Sequence, residues 1–248
     1  MKYITLPDET PHGSLSLASA GTPLRRLSFF LAMEEYVARH VDEDDMFFMW
    51  QVRPSVIFGR NQFMESEVNV EYCRSHGIEM YRRKSGGGCV YADEQNLMLS
   101  FVTREENVNL AFNRFIGMLL LVLRKLGVEA TSTIHNDILI GNRKVSGTAC
   151  YHLQGHSIVH ATLLYDTNME HMQNAITPSQ KKLQSKGIQS VRQRITLLKD
   201  YIPQSLGELK TFIRMTLCEG ELMLTASDVA AIELQEQTYL KEEFINLI

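Results

Sequence analysis

Residues 78–102 read IEMYRRKSGGGCVYADEQNLMLSFV, and this stretch decides the fold class. Ile78 to Arg83 is short and apolar at its start, as a strand is, and it runs into three successive glycines, Gly86 to Gly88. Val90-Tyr91 and Leu97 to Val102 are further strand signals, and Asp93-Glu94 between them reads as a hairpin turn. Two more hairpins follow: Ile138 to Ile140 turns at Gly141-Asn142 into a strand from Lys144, and Gln154-Gly155 leads into Ser157 to Tyr165. Strands joined by tight turns predict a mixed, largely antiparallel sheet. Strands are also expected over Met46 to Val52 and Ser55 to Gly59.

Helical periodicity supplies the second layer. Leu27, Phe30, Leu31 and Met33 to Val37 predict a helix over 26–40. Phe112, Phe115, Ile116, Leu119, Leu120, Leu123 and Leu126 recur at three- and four-residue steps, predicting a helix over 107–126 with Gly127 just past its end. Ser205 and Glu208 form a capping box ahead of Leu209, Phe212, Ile213 and Leu217, and a last helix is expected from Ser227 or Asp228. The class is therefore α+β, helices flanking a mixed sheet, rather than a doubly wound nucleotide fold.

Composition narrows the function classes. The chain has 248 residues, 44% hydrophobic and 22% charged, with 15 Gly and 6 Pro, which excludes collagen-like, disordered and disulfide-scaffold readings. A net charge of −4 does not suggest nucleic acid as a partner. Cys73, Cys89, Cys150 and Cys218 are scattered without a C-x-x-C pair, as free thiols in a reducing compartment would be. The longest apolar run, Ile116 to Leu123, falls far short of the roughly 20 residues of a membrane span. Met1 to Thr10 carries no apolar signal segment, so the expectation is a cytoplasmic protein without a membrane partner. With no repeat or linker, residues 1–248 are expected to form a single domain.

Three features carry candidate chemistry. Arg82-Arg83-Lys84-Ser85-Gly86-Gly87-Gly88 puts bare backbone beside cations. The glycines imply close approach or a positive φ, and exposed N–H groups there can cradle an anion, although a plain surface turn has the same composition. It is neither a Walker loop nor a G-x-G-x-x-G fingerprint. His135-Asn136-Asp137 precedes Asn142-Arg143-Lys144-Val145-Ser146-Gly147, where a strand lysine can offer a point charge to a carboxylate or phosphate, or simply sit in solvent. His160 stands in the otherwise apolar strand His160-Ala161-Thr162-Leu163-Leu164, the usual setting of a hydrogen-bonded core histidine.

In this order the pieces resemble the lipoate–protein ligase family of the biotin/lipoate ligase superfamily. The resemblance extends to Leu31-Ala32-Met33-Glu34-Glu35, Ile57-Phe58-Gly59-Arg60-Asn61-Gln62, Lys181-Lys182-Leu183, Lys186-Gly187-Ile188 and Ser190-Val191-Arg192 with Arg194, covering about residues 26 to 200. Four positions depart from the family pattern: Cys89 replaces the usual alanine, Ala92 the usual histidine, and Val159-His160-Ala161-Thr162 has Val159 and Ala161 for the first histidine and the glycine of His-His-Gly-Thr, retaining the second histidine. Many bacterial members carry a small C-terminal accessory domain that would begin about where this chain stops, at Ile248. The expectation is a catalytic domain without it, which either acts alone or borrows a separate accessory polypeptide for the first step.

The resemblance implies a biotin/lipoate ligase-like fold and ATP-dependent attachment of lipoate to a specific lysine. Acceptors would be the lipoyl domains of 2-oxoacid dehydrogenase E2 subunits and the glycine-cleavage H protein. It implies Lys144 as the catalytic cation at the lipoate carboxylate and α-phosphate. Arg83, Ser85, Gly86, Gly87, Gly88, Cys89, Val90, Tyr91, Asn136 and Asp137 would bind the nucleotide or adenylate, Asp137 also taking Mg²⁺-linked phosphate. His160 and Thr162 would line the acyl tunnel with Lys144. From His171 to Lys199 there is no Asp or Glu, so Lys181, Lys182, Lys186, Arg192 and Arg194 form a candidate dock for an acidic acceptor or a pyrophosphate contact, or else a solvated loop face. The rival reading is an octanoyl or lipoyl transferase working through a Cys thioester, with Cys150 as its candidate. Thr131 to His135, where such transferases would place the nucleophile, contains no Cys. A biotin ligase would read Gly-Arg-Gly in its loop, and a non-catalytic scaffold would not need Arg83, the glycines and Lys144.

Overall fold

The computed structural model describes residues 1–7, 24–177 and 195–247. Eleven strands among them form two sheets. The large sheet takes β1 (Lys2–Thr5), β2 (Asp45–Trp50), β6 (Asn96–Thr103), β7 (Ala130–Ser132), β8 (Asp137–Ile140), β9 (Arg143–Leu153), β10 (His156–Leu164) and β11 (Gly220–Met223). Its spatial order is β11-β1-β2-β6-β10-β9-β8-β7. Only β1 pairs in parallel, with β2 and β11; every other pairing is antiparallel. The small sheet sets β3 (Ser55–Phe58) between β4 (Glu79–Arg82), parallel, and β5 (Val90–Ala92), antiparallel. The mixed, mostly antiparallel α+β class is as expected.

Alternation along the central strand β6 explains why helices cover both faces of the large sheet. Leu97, Leu99 and Phe101 enter the core under α4 (Val108–Lys125). Met98 and Val102 enter the opposite core, shared with α1 (Leu27–His40). The helix α6 (Leu206–Leu217) adds Leu209 and Ile213 to the first core, and α7 (Ala226–Leu240) adds Val229, Ile232 and Tyr239 to the second. The outer face of the small sheet, with Val56, Phe58 and Tyr91, packs a third core with Cys73 of α3 (Val70–Ser75) and Met172 and Ala175 of α5 (Met169–Ala175). Two four-residue helices complete the set, α2 (Met64–Glu67) and α8 (Glu242–Ile245).

Helix ends follow their local signals. Gly127 has φ +79°; its N–H bonds to the Arg124 carbonyl and that of Val128 to the Leu123 carbonyl, a Schellman closure. Ser205 and Glu208 form the expected reciprocal box at α6. The last helix begins one residue earlier than expected because Thr225 caps it with Asp228.

One expectation fails in an informative way. The turn at Asp93-Glu94 exists, with the Asn96 N–H on the Asp93 carbonyl at 3.1 Å, but β5 and β6 are not a hairpin. β5 pairs with β3 and β6 with β2 and β10, so the chain steps from one sheet to the other within three residues. Asp93 secures the step: Oδ1 accepts from the Gln95 N–H and Thr167 Oγ1, and Oδ2 from the Asn168 N–H. The Asn96 side chain donates to the Tyr91 carbonyl.

Replacing Gly127 with alanine tests the helix closure. A Cβ there meets nothing within 4 Å, so the cost is conformational alone. We expect about 1–2 kcal/mol of destabilisation, read as a melting temperature lowered by roughly 2–4 °C per kcal/mol.

Candidate active site

Arg82 and Arg83, which resemble ligand-binding cations in the sequence, spend most of their donors on the backbone. Arg83 lies at the end of β4, 5% exposed. Its Nε donates to Ser85 Oγ at 2.9 Å, Nη2 to the Gly86 and Gly88 carbonyls at 2.7 and 2.8 Å, and Nη1 to the Ile57 carbonyl at 3.1 Å. It thus wraps the glycine loop around itself while one side still lines the adjoining cavity. Burial brings its pKa down to about 10. Of the three glycines, Gly87 needs the left-handed backbone (φ +94°), and an added Cβ would stand 2.9 Å from Arg83 Nη2. Gly59 faces the loop across a gap too narrow for a side chain: a Cβ there would be 2.2 Å from the Gly87 carbonyl oxygen.

Ser85 connects the loop to the large sheet. Its Oγ lies 2.7 Å from His160 Nε2, and His160 Nδ1 is 3.0 Å from Glu34 Oε2. Ser100 Oγ donates to Glu34 Oε1 at 2.6 Å, and Trp50 Nε1 donates to Ser100 Oγ at 2.8 Å. Glu34, as a carboxylate, accepts from His160 Nδ1–H, and Ser85 Oγ and His160 Nε2 share the hydrogen bond that completes the link. Every buried polar group in the chain Arg83–Ser85–His160–Glu34–Ser100–Trp50 thereby has a partner, as burial requires. Glu34 was not expected in the site; its signal is an acid within the continuous run of buried residues from Leu27 to Glu35.

The lysine reaches the site through a register shift. Asp137 opposes Gly147 and Ile138 opposes Ser146, but Leu139 opposes Lys144, so β9 carries one extra residue at Val145. Lys144 and Gly147 are three apart and would face opposite ways on a regular strand. The bulge puts them on one face. There the ammonium lies over Gly147, where a Cβ would be 2.4 Å from Nζ, and pairs with Asp137 Oδ1 at 2.6 Å. Asp137 follows a turn held by Asn136 at φ +60°. The Asn136 carbonyl accepts from Thr148 Oγ1 at 2.6 Å.

These groups surround a cavity of about 320 Å³ between the two sheets. One set of walls is polar, with Lys144, Asp137, His135, Thr148 and the backbone of Gly87 and Gly88; the other is apolar and reaches Leu31, Trp50, Ile57 and Met98. Gly147 and Ala149, the small residues of β9, keep the floor low beside His160 and Thr162. Such a slot suits a molecule with an apolar tail and an anionic head.

Of the expected residues, Arg83, Gly87, Gly88, Cys89, Val90, Asp137, Lys144, His160 and Thr162 line this cavity. Ser85 and Gly86 stand behind it as the loop's scaffold. Tyr91 points away into the third core, and Asn136 contributes a turn rather than a wall. Trp50, Met98 and His135 were not expected there and are walls. Cys150 packs against the α4-side core, with burial raising its thiol pKa to about 12. Lys181, Lys182, Lys186, Arg192 and Arg194 lie outside the described residues. Asp137 is the one carboxylate among the described residues on the cavity wall, and it pairs with Lys144. No group of three or more His, Cys, Asp or Glu among the described residues could hold a metal. No helix among them is long and apolar enough to cross a membrane.

Comparisons with known proteins place the chain in a family. The family model described as the lipoyl protein ligase A/B catalytic domain matches residues 27–219, and the chain belongs to that family. It is 37% identical over 191 residues to lipoate–protein ligase 1 of Staphylococcus aureus, covering 75% of this chain and 58% of the relative. It is 36% identical over 178 residues to a lipoate-protein ligase of Bacillus subtilis, covering 71% and 54%. The chain thus spans little more than half the length of these relatives. Among solved structures, it matches a lipoate-protein ligase A bound with ATP with a TM-score of 0.77 at 25% identity, covering 89% of this chain and 94% of that one. A structure from the archaeal lipoylation system of Thermoplasma acidophilum, described as a bi-partite lipoate protein ligase and its E2 lipoyl domain, matches in fold with a TM-score of 0.81 at 24% identity, covering 100% and 96%.

Gly59→Ala tests the loop's packing. Because the obstruction is backbone, the loop must shift, and we expect a loss of about 1–3 kcal/mol in denaturant unfolding. Unchanged stability would mean that the contact between Gly59 and Gly87 is not a constraint.

Proposed function

We propose that this chain attaches lipoate to a specific lysine of lipoyl-acceptor domains, with ATP as the activating substrate. The observation that carries the reading is the Lys144 ammonium, laid over Gly147 and oriented by Asp137 at the polar end of an otherwise apolar slot. Family membership supports the reaction class, and the ATP-bound ligase of the same fold supports the nucleotide.

In the first step a lipoate carboxylate oxygen attacks the α-phosphorus of ATP. The new C–O–P anhydride forms as the bond to the β-phosphate oxygen breaks, and pyrophosphate leaves. Charge builds on the α-phosphate oxygens, where a fixed cation in a desolvated site is worth most. Lys144 supplies it, and the N–H groups of the glycine loop hold the same anion. In the second step the acceptor's lysine amine, as the free base, attacks the acyl carbon; the amide forms and AMP leaves with the electron pair. The apolar walls take the acyl chain, gaining roughly 0.8 kcal/mol per buried CH₂. His160 and Thr162 border that chain.

The described residues offer no metal cage, so Mg²⁺ in this reading would arrive with the ATP phosphates, as a hard cation that keeps its waters and phosphate oxygens does. The acceptors are lipoyl domains of 2-oxoacid dehydrogenase E2 subunits or the glycine-cleavage H protein, met in the cytosol. Residues 1–248 act as one catalytic unit, with a separate accessory polypeptide as a further partner. Supplying the purified chain first with lipoyl-adenylate and then with lipoate and ATP tells whether activation needs that partner.

Lys144→Ala should lower adenylate formation by about 10²–10³, the effect of losing one donor to a developing charge. Activity within threefold of the parent would overturn the assignment. Gly147→Ala should behave similarly in activity with little change in melting temperature, since the obstructed atom is the movable end of a lysine. Acyl transfer through a thioester is the second reading, and its candidate in the structure is Cys89, the cysteine on the cavity wall, rather than Cys150. We expect Cys150→Ser to retain ligation. Intact mass after exposure to an acyl donor should show no adduct on the parent; one that disappears in Cys89→Ser would establish the transferase.

A further inference from the structure

Behind the glycine loop lies a second cavity, of about 430 Å³, with a different character. Among the described residues, Arg39, Arg60, Arg82, Lys84 and His152 line it against a single carboxylate, Glu35. This is a concentration of positive charge in a chain whose net charge is −4. Glu35 is already shared: Lys84 Nζ is 2.6 Å away, Arg39 Nη2 is 3.9 Å away, and the Tyr239 hydroxyl donates to it. Arg82 is only 1% exposed, and its bonds to the carbonyls of Ile245, Gly59, Arg60 and Gln62 all run through Nε and Nη1, none through Nη2. The Arg60 side chain makes no hydrogen bond or ion pair with described residues, and it is exposed.

We propose that this cavity is an anion site for a small phosphate-bearing molecule, separate from the acyl slot. Guanidinium forks match phosphate oxygens, and here three arginines and a lysine converge with one carboxylate to neutralise them. The volume lies within the roughly 300–1,000 Å³ of small-molecule sites. Leu153 and Phe244 give the wall an apolar side, so a ligand larger than phosphate itself is accommodated. The site is back to back with the catalytic cavity. Arg83 and Ser85 serve one side of the chain after β4, and Arg82 and Lys84 the other. On α1, the neighbours Glu34 and Glu35 divide in the same way. An anion drawing Lys84 and Arg39 from Glu35 therefore acts on the chain that carries the glycine loop.

Calorimetric titration of the intact chain with inorganic pyrophosphate tests this, and because it reads binding rather than turnover its outcome is independent of the catalytic reading. We expect saturable binding that weakens as salt rises and survives in Lys144→Ala. Removing two of the converging cations in Arg39→Ala/Arg60→Ala should weaken it by roughly tenfold or more. Both side chains are at the surface, and the charge reversal Arg60→Glu should weaken it too. Absence of saturable binding, or binding unchanged in the double variant, would overturn the proposal, as would binding lost in Lys144→Ala alone.

Discussion

A charged guanidinium without water must be surrounded by acceptors, and Arg83 meets that requirement by folding the glycine loop around itself. Much of the site depends on this constraint. The Gly86 and Gly88 carbonyls turn inward to Arg83, and the backbone of Gly87 and Gly88 borders the cavity. Ser85, held by the same guanidinium, passes a hydrogen bond through His160 to Glu34 and so joins the small sheet, the large sheet and α1. The polar chain crosses a region that is otherwise Phe30 stacked on Trp50 at 4.9 Å and the aliphatic side chains around them. A half-satisfied network there would be costly, so its completeness defines a single arrangement of three elements rather than several near-equal ones.

The lysine is placed by a different device. Strand alternation gives β9 two faces, and the placing of the Lys144 ammonium over Gly147 needs both residues on the same one. A single inserted residue at Val145 accomplishes this, and both Val145 and Ser146 are then buried on the core side. The ion pair to Asp137, the glycine that leaves room for the ammonium and the bulge that aims it are thus one unit. Each member is ordinary when read alone.

How much of this the sequence revealed depended on how local the determining interaction is. Helix ends at Gly127 and Ser205 and the turns at Gly141 and Gly155 are settled within five residues, and all were legible. The glycine loop and Lys144 were recognisable as motifs. That carbonyls from residues 57 to 62 return to the guanidinium groups of Arg82 and Arg83 is not visible in a linear string. Tyr91 looked like a site residue by proximity to the glycines, yet strand alternation turns it into the third core. The parallel pairing of β1 with β2 and β11 joins segments distant in the chain and leaves no local trace. Glu34 was hidden by its apolar neighbours, since burial of an acid is visible only once its donors, Ser100 and His160, are assembled.

The short step at Asp93 has a mechanical consequence. Only three residues separate β5 from β6, and they are fastened to Thr167 and Asn168. The two sheets are therefore tethered at one side of the slot like the leaves of a book near its spine. Such a hinge permits little change in the gap close to the tether, whatever happens at the opposite margin. The bore at that side is consequently set by side-chain size, and a bulkier cargo gains entry there through smaller wall residues rather than through movement of the backbone.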